Sequence, residues 1–541
     1  MSLGILFTCT VVVELFVLWR LRFDSFVVAI VLAGTCLQVD YLTYTSVGER
    51  NYDGASHIAY IQSIASTWQV PDVFSCAVCG HPPLYYALGA LWSKTVLLGG
   101  WMPLELGLQW LSLLLFFAFV VFSLLIVRSC TGRATTLRLA AALVVFWPSS
   151  IINSVRVHND ALASPLMLAA LYFTAEWDKN GRTQDFSAAL VISALALSTK
   201  ASGYAVATAL LLFTALRLRS TEQRSRSLKQ FSIAALVLGT TGLLITALRT
   251  ARAPRTPCQL ILGSACNGRY VPPIPDSPSR FLSFHLHDFV SRLHTVPEDP
   301  ILNRLAKSSL FGVMRLGDPF TDARNELLAH WISWGLLAMV TVCLVGLPLL
   351  GRAWLSKHRA YLGSVAIMVL FLLAFRIRAP NEFHEDFRHI FAALVPFCLS
   401  YAVIVARLSQ YSKLLHSAGL ALALLMIALS VAFFARIPHP ASLLPGRSGG
   451  FFRSGPGRNR SVAADRHTPR EARCAPNRER SEAEASCDSG GMAGITLDTG
   501  ALIGFERAAR RTMAQLKLAE QFGCESRFRS PAASGLARSF G

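Results

Sequence analysis

The sequence predicts an all-α integral membrane protein with about twelve transmembrane helices, further short helices in its extracytoplasmic loops and a disordered C-terminal tail. Three observations predict it. Hydrophobic residues fill 53% of the 541 positions and charged ones 15%, with a mean hydropathy of +0.45, too apolar a balance for a soluble multidomain chain. Apolar runs recur up to residue 435, separated mostly by short loops that carry Lys and Arg. After Arg436 the composition turns abruptly to Gly, Arg, Ser and Glu.

The runs long enough to span, or nearly so, are 4–19, 25–42, 106–127, 139–155, 161–176, 187–199, 203–216, 231–247, 328–350, 361–376, 389–406 and 417–434. Runs 187–199 and 203–216 read as a helical hairpin interrupted at Lys200-Ala-Ser-Gly203. Glu14 interrupts the first run and no small-x-small cleavage site follows it, so no cleavable signal peptide is expected. No internal repeat is evident.

Orientation follows from the loop charges. With 51–86 extracytoplasmic and 82–100 not crossing, the cytoplasmic loops hold seventeen Lys and Arg and the short outside segments seven. If 82–100 crossed, the basic cluster at 217–229 would face outward, so 82–100 reads as a juxtamembrane or re-entrant segment opened by His81-Pro-Pro. Asp53, the pair His158/Asp160, Lys200 and the segment 382–389 then all emerge on one side, where convergent polar groups can build a site. The net charge of +19 divides between these loops and the tail, whose 17 basic and 10 acidic residues supply +7; no nucleic-acid partner is expected.

The first outside loop, 51–104, opens with NYDGASHIAYIQSIASTW. Ile58, Ile61, Ile64/Ala65 and Trp68 share one helical face, which suggests an amphipathic helix lying in the interface, anchored by Trp68 and ended by Pro71. The second outside loop, 249–326, carries short helices between 281 and 315. Cys76/Cys79 and Cys258/Cys266 fall in these loops and each pair could form a disulfide; CxxC beside His81 also reads as half a metal site, but no second ligand pair is evident. Cys9, Cys36, Cys130, Cys343 and Cys398 lie in or beside apolar runs and read as small core residues.

Asp53 is the sharpest chemical candidate, because a carboxylate beside the lipid interface can take a proton from an attacking hydroxyl or hold a metal that activates it. The competing reading is a cap for the helix starting near Ala55. His57 follows one turn later; its alternative is a solvated interfacial histidine. Asp160 stands at the head of a run, as a site acid or an N-cap, with Arg156 and His158 beside it able to meet a phosphate. Arg376, Arg378, His384, Asp386, Arg388 and His389 gather at the mouth of a later helix. An arginine fork matches two phosphate oxygens, so Arg388 is a candidate for holding a lipid phosphate, against a plain salt bridge to Asp386 or Glu385. Lys200, costly to leave unpaired near the membrane, is a second phosphate candidate against a snorkelling lysine.

YDGASHIAYIQ, HPPLYY, NDAL, TKASG, NRLAKSSLFG and EDFRHIFAALVPF, in that order, resemble the GT-C superfamily of polyprenyl-phosphate-sugar-dependent glycosyltransferases, nearest to the branch of protein O-mannosyltransferases and the lipid A aminoarabinose transferase. The resemblance covers about 25–435 within a transmembrane domain 1–435. It implies an essential acid from the first outside loop (Asp53), a polyprenyl-phosphate sugar donor in the membrane, and inverting transfer to an extracytoplasmic acceptor, in a multi-pass protein of a bacterial inner or plasma membrane. It implies that Asp160 lines the site and that Lys200 and Arg388 hold the phosphate; His57, His81, Tyr85, Arg156, His158 and Asp386 are the further candidate substrate contacts. Many members carry Asp-Glu where this chain has Asp53-Gly54, which leaves a metal held by both acids in doubt; no cofactor is certain and a divalent metal stays open. The run before 25–42 puts the N-terminus outside, unusual for that family.

Beyond a disordered linker at 436–491, the segment 492–541 contains LDTGALI and resembles the opening of a PIN-type ribonuclease toxin, with Asp498 and Glu506 at matching positions. That fold needs more acids than remain before Gly541, so the segment reads as a non-functional fragment. A reading from a different class is a twelve-span transporter or lipid flippase without chemistry, favoured by mid-helix ionisable residues and a repeat between halves.

Overall fold

The computed structural model describes residues 3–45, 53–72, 75–76, 78–98, 100–218, 224–250, 278–292, 299–312, 323–378 and 385–435. Cys258/Cys266, His384, the linker 436–491 and the segment 492–541 with Asp498 and Glu506 lie outside them. The described residues fold into helices, with no strand among them. In order these are α1 (Leu3–Arg20), α2 (Ser25–Tyr44), α3 (Gly54–Thr67), α4 (Leu84–Thr95), α5 (Leu104–Cys130), α6 (Ala134–Phe146), α7 (Pro148–Ser154), α8 (Asp160–Asn180), α9 (Thr183–Thr199), α10 (Gly203–Arg217) and α11 (Arg224–Thr250). The segment between α11 and the next long helix supplies α12 (Pro278–Leu282), α13 (Leu286–Ser291) and α14 (Ile301–Phe311). Then come α15 (Ala323–Lys357), α16 (Arg359–Arg378), a 3-10 turn (Phe387–Ala393), α17 (Leu394–Leu408) and α18 (Lys413–Phe434).

Every apolar run of the sequence is helical, but fewer than twelve are spans by length and composition. Seven described helices qualify: α2, α5, α11, α15, α16, the stretch Phe387–Leu408 and α18; the pair α6 and α7 makes eight if counted as one span bent by 58°. The bend has a local cause. Pro148 lacks an N–H and pushes Trp147 into an extended conformation (ψ 134°), so the helix stops and restarts. At about 1.5 Å per residue, α9 and α10 reach only about 26 and 23 Å, less than a bilayer core of about 30 Å. Alpha-helix α8 is long enough, but its last turns carry Glu176, Asp178 and Lys179. Helix α4, with 12 residues, is too short to cross, in keeping with the expectation for 82–100.

Buried side chains of α5, α6, α8, α9 and α17 form the centre, among them Trp110, Phe119, Trp177 and Tyr401. Outer helices leave large apolar side chains uncovered: Phe16 and Trp19 on α1, Leu236 and Leu243 on α11, Leu344 and Val345 on α15, Leu424 on α18. Such a surface is what lipid solvates. The chain is a multi-pass, all-α membrane protein. Cys9 and Cys36 are exposed rather than in the core, while Cys130 and Cys398 are buried. Cys76 and Cys79 form a disulfide.

Helix α3 corrects one expectation. Its face of Ile58, Ile61 and Ile64 is buried in a small core with Tyr85, Tyr86, Leu108 and Leu111 from α4 and α5, not laid into lipid. Trp68, 61% exposed, is a left-handed cap at φ 54° that ends the helix before Pro71 is reached. The close approach is possible because Gly89 of α4 has no side chain: a Cβ there would lie 2.8 Å from Ile61 Cδ1.

Candidate functional site

Asp53 stands at the head of α3, yet its side chain makes no capping hydrogen bond. It turns to other elements instead. Oδ2 lies 3.5 Å from His57 Nε2 and 3.9 Å from Arg388 Nη1, and buried Oδ1 has no hydrogen-bond partner among the described residues. His57 sits one turn later because positions four apart share a helix face, and its Nδ1 is 2.9 Å from Tyr86 Oη on α4. The packing of α3 on α4 thus delivers a chain Asp53–His57–Tyr86. The His81 ring lies parallel to His57 with centroids 6.2 Å apart.

The second group comes from the link between α7 and α8. Arg156, His158 and Asp160 are all buried, and Ser112 of α5 holds this link by donating to the Arg156 carbonyl at 2.7 Å. The N–H of Asp160 donates to His158 Nδ1 at 2.8 Å, which leaves the imidazole proton on Nε2. Asp160 does not cap its helix, whose capping position is Asn159. Its two oxygens each accept from Lys200 Nζ at 2.5 Å. Lys200 is therefore neither a snorkelling lysine nor an open phosphate holder: it is locked to Asp160. The TKASG sequence makes this possible. A Cβ at Gly203 would fall 2.5–2.6 Å from the Ala196 and Leu197 backbone, so only glycine lets α10 begin tight against the last turn of α9.

The third group follows α16. Asp386 caps the 3-10 turn, Oδ1 accepting from the Arg388 N–H at 3.0 Å, while Oδ2 lies 3.1 Å from Arg388 Nε. Arg388 so bridges Asp386 and Asp53. Glu385, in contrast, is surrounded by Arg280, Arg304 and Arg376.

The electrostatics follow from burial and neighbours. Burial alone would raise the Asp53 carboxyl, but positive charge at His57, Arg388 and Arg156 outweighs it and holds the group well below the usual carboxylate range. Burial, then Arg156, Arg388 and Lys200, push His158 well below the usual imidazole range, so it is a neutral donor through Nε2. A narrow slot is lined by Asn153, His158, Asp160, Ser164 and Arg388 on its polar side and by Phe116, Phe119, Pro165 and Phe391 on its apolar side; Asp53 adjoins it through Arg388. Pro165 also removes the donor that the Ala161 carbonyl would receive within α8.

The structure brings together Asp53, His57, His81, Arg156, His158, Asp160, Lys200, Asp386 and Arg388 from four separate stretches of chain. Tyr85 is the exception: it is fully buried edge-on against Tyr86, and Tyr86 is the tyrosine that reaches His57. Adjacent tyrosines carry no local signal that separates them, because the rotation of a short helix is set by its packing. Glu385, Arg280 and Arg304 were also missed as a group, being separated by 105 and 81 positions. Among the described residues no three His, Cys, Asp or Glu side chains converge as metal ligands, and the closest neighbours of Asp53 include cations. This donor set does not fit a divalent metal, and no step is derived through one.

No protein-family model and no curated protein matches this chain. Among solved structures it is similar to the oligosaccharyltransferase of Archaeoglobus fulgidus in the apo form, with TM-score 0.45 and 12% identity over 76% of this chain and 56% of that one. It is likewise similar to the archaeal oligosaccharyltransferase AglB of the same organism in complex with an inhibitory peptide and a dolichol-phosphate, with TM-score 0.45 and 13% identity over 76% and 55%. The chain thus spans just over half the length of the proteins it matches.

Proposed function

We propose that this protein is a membrane glycosyltransferase that moves a sugar from a polyprenyl-phosphate donor to an extracytoplasmic acceptor with inversion. The observation that carries the proposal is one carboxylate with a bare oxygen, Asp53 Oδ1, whose other oxygen faces Arg388, which together with a neutral His158 lines a slot with apolar walls. In this reading the prenyl chain lies against Phe116, Phe119 and Phe391, and its phosphate meets Arg388, Arg156 and His158 Nε2–H.

The acceptor hydroxyl attacks the sugar carbon opposite the phosphate. The carbon–oxygen bond to phosphate breaks with its electron pair, which converts a phosphodiester to a monoester with one more negative charge. Arg388 and Arg156 favour that charge in the transition state. The acceptor proton passes to Asp53. A carboxylate of such low basicity takes it late, once the new glycosidic bond has made the hydroxyl acidic. Asp160–Lys200 and Asp386 hold the framework, and positioning supplies the rest of the effect.

The test is transfer of radiolabelled sugar from a panel of polyprenyl-phosphate sugars by membranes holding the wild type or Asp53→Asn. The expected result is wild-type transfer with at least one donor and loss of about 100-fold or more in the variant at equal protein level. Transfer that persists in Asp53→Asn removes this acid from the mechanism. No transfer with any donor puts the transporter reading ahead.

A further inference from the structure

Glu385 lies outside the slot and, with Glu14, is one of the two most enclosed acids described. Its side chain is 0% exposed, and three guanidiniums from three elements close on it: Arg376 Nε of α16 at 2.5 Å, Arg304 Nε of α14 at 2.9 Å and Arg280 Nη2 of α12 at 3.2 Å. The next residue is Asp386, and two further on is the N–H of Phe387, which donates to Ser308 Oγ of α14 at 2.9 Å. The same α14 reaches the other half of the site, its Ser309 carbonyl accepting from Trp147 Nε1 at the α6–α7 bend.

We propose that Glu385 is a positioning residue: clasped by Arg280, Arg304 and Arg376, it fixes the Asp386–Arg388 turn so that Arg388 faces Asp53. Glu385 directly precedes Asp386, the cap of the 3-10 turn that carries Arg388, and this adjacency couples the clasp to the Arg388–Asp53 contact. Removing the charge of Glu385 while keeping its shape takes away the one carboxylate that all three guanidiniums share, where dielectric screening is weak. They separate, α12 and α14 lift, and the turn loses its anchor. Only the effect on sugar transfer rests on the glycosyltransferase reading; the effect on Asp53 does not.

The experiment reads Asp53 directly. A carbodiimide labels protonated carboxyls, and peptide mass spectrometry follows labelling of Asp53 against pH in the full, detergent-purified chain. Among the described residues the groups that act on Asp53 include His57 on its own helix, Tyr86 of α4, Arg156 of the α7–α8 link and Arg388. Glu385→Gln leaves all of them in the chain and displaces Arg388. The labelling midpoint of Asp53 then rises, with its ionisation constant falling about tenfold, while exposed Glu105 is unchanged. Glu385→Asp, which keeps the charge, restores most of the shift. In the transfer assay kcat falls about 100-fold with KM within a few-fold of wild type.

A folded Glu385→Gln protein with an unmoved Asp53 midpoint overturns the proposal, whatever its activity. If Glu385→Gln does not accumulate, Arg280→Gln, at the rim of the clasp, takes its place: a rise of the midpoint supports the proposal and no rise overturns it. A wild type that transfers no sugar refutes the glycosyltransferase reading and leaves the labelling result to decide the clasp.

Discussion

Replacing Lys200 by Met tests how the centre of the site is held. Both oxygens of Asp160 lie 2.5 Å from Lys200 Nζ, and the two side chains are 7% and 8% exposed. Removing one partner of a buried pair costs about 3–5 kcal/mol, because the remaining charge stays desolvated. His158, 3.3 Å from Asp160, does not compensate, since burial and its cationic neighbours keep it neutral. Lys200→Met and Asp160→Asn are each expected to lose about 3–5 kcal/mol. The double variant, with neither charge left buried, is expected to recover about 2–3 kcal/mol of their sum. The assay is equilibrium unfolding by SDS in mixed micelles, run as a double-mutant cycle. Single losses that add within about 0.5 kcal/mol would refute the reasoning, since they would mean the two charges do not depend on each other.

Gly203→Ala places a methyl 2.5 Å from the Ala196 carbonyl carbon and should cost about 1–3 kcal/mol in the same unfolding assay. Tyr86→Phe removes the hydrogen bond to His57 and should lower transfer about tenfold, whereas Tyr85→Phe should leave the rate of turnover nearly unchanged; equal effects would count against the Asp53–His57–Tyr86 chain. For pH, the carboxyl of Asp53 is depressed in the folded protein, so its stabilisation is complete above the unfolded value of about 4 and is lost as pH falls toward the lower folded value. The stability difference between wild type and Asp53→Asn should be flat from pH 5 to 8 and shrink below about pH 4. A difference that instead grows on acidification contradicts the charge assignment.

The helical membrane architecture, and the placement of the polar stretches on one side, were legible in the chain before it folds. Apolar runs cannot satisfy their backbone in lipid except as helices, and the loop charges place Asp53, His158/Asp160, Lys200 and Asp386/Arg388 at the same ends of those helices. That reasoning uses only local pattern and side, so it is legible in one dimension. Which run truly spans was less legible: twelve apolar stretches become seven or eight candidate spans among the described residues, because Pro148 bends one run, α9 and α10 fall short of a bilayer core, and α8 carries charges in its last turns.

Tertiary structure alone decided the partners. Asp53 is a helix cap by position but an ion-pair partner by packing, Lys200 chose Asp160 over solvent, and the rotation of α4 selected Tyr86 over Tyr85. The clasp on Glu385 is the furthest from sequence. Its arginines come from positions 280, 304 and 376, and a contact between residues so far apart in the chain exists only once α12, α14 and α16 have been brought to one place by the burial of their apolar faces.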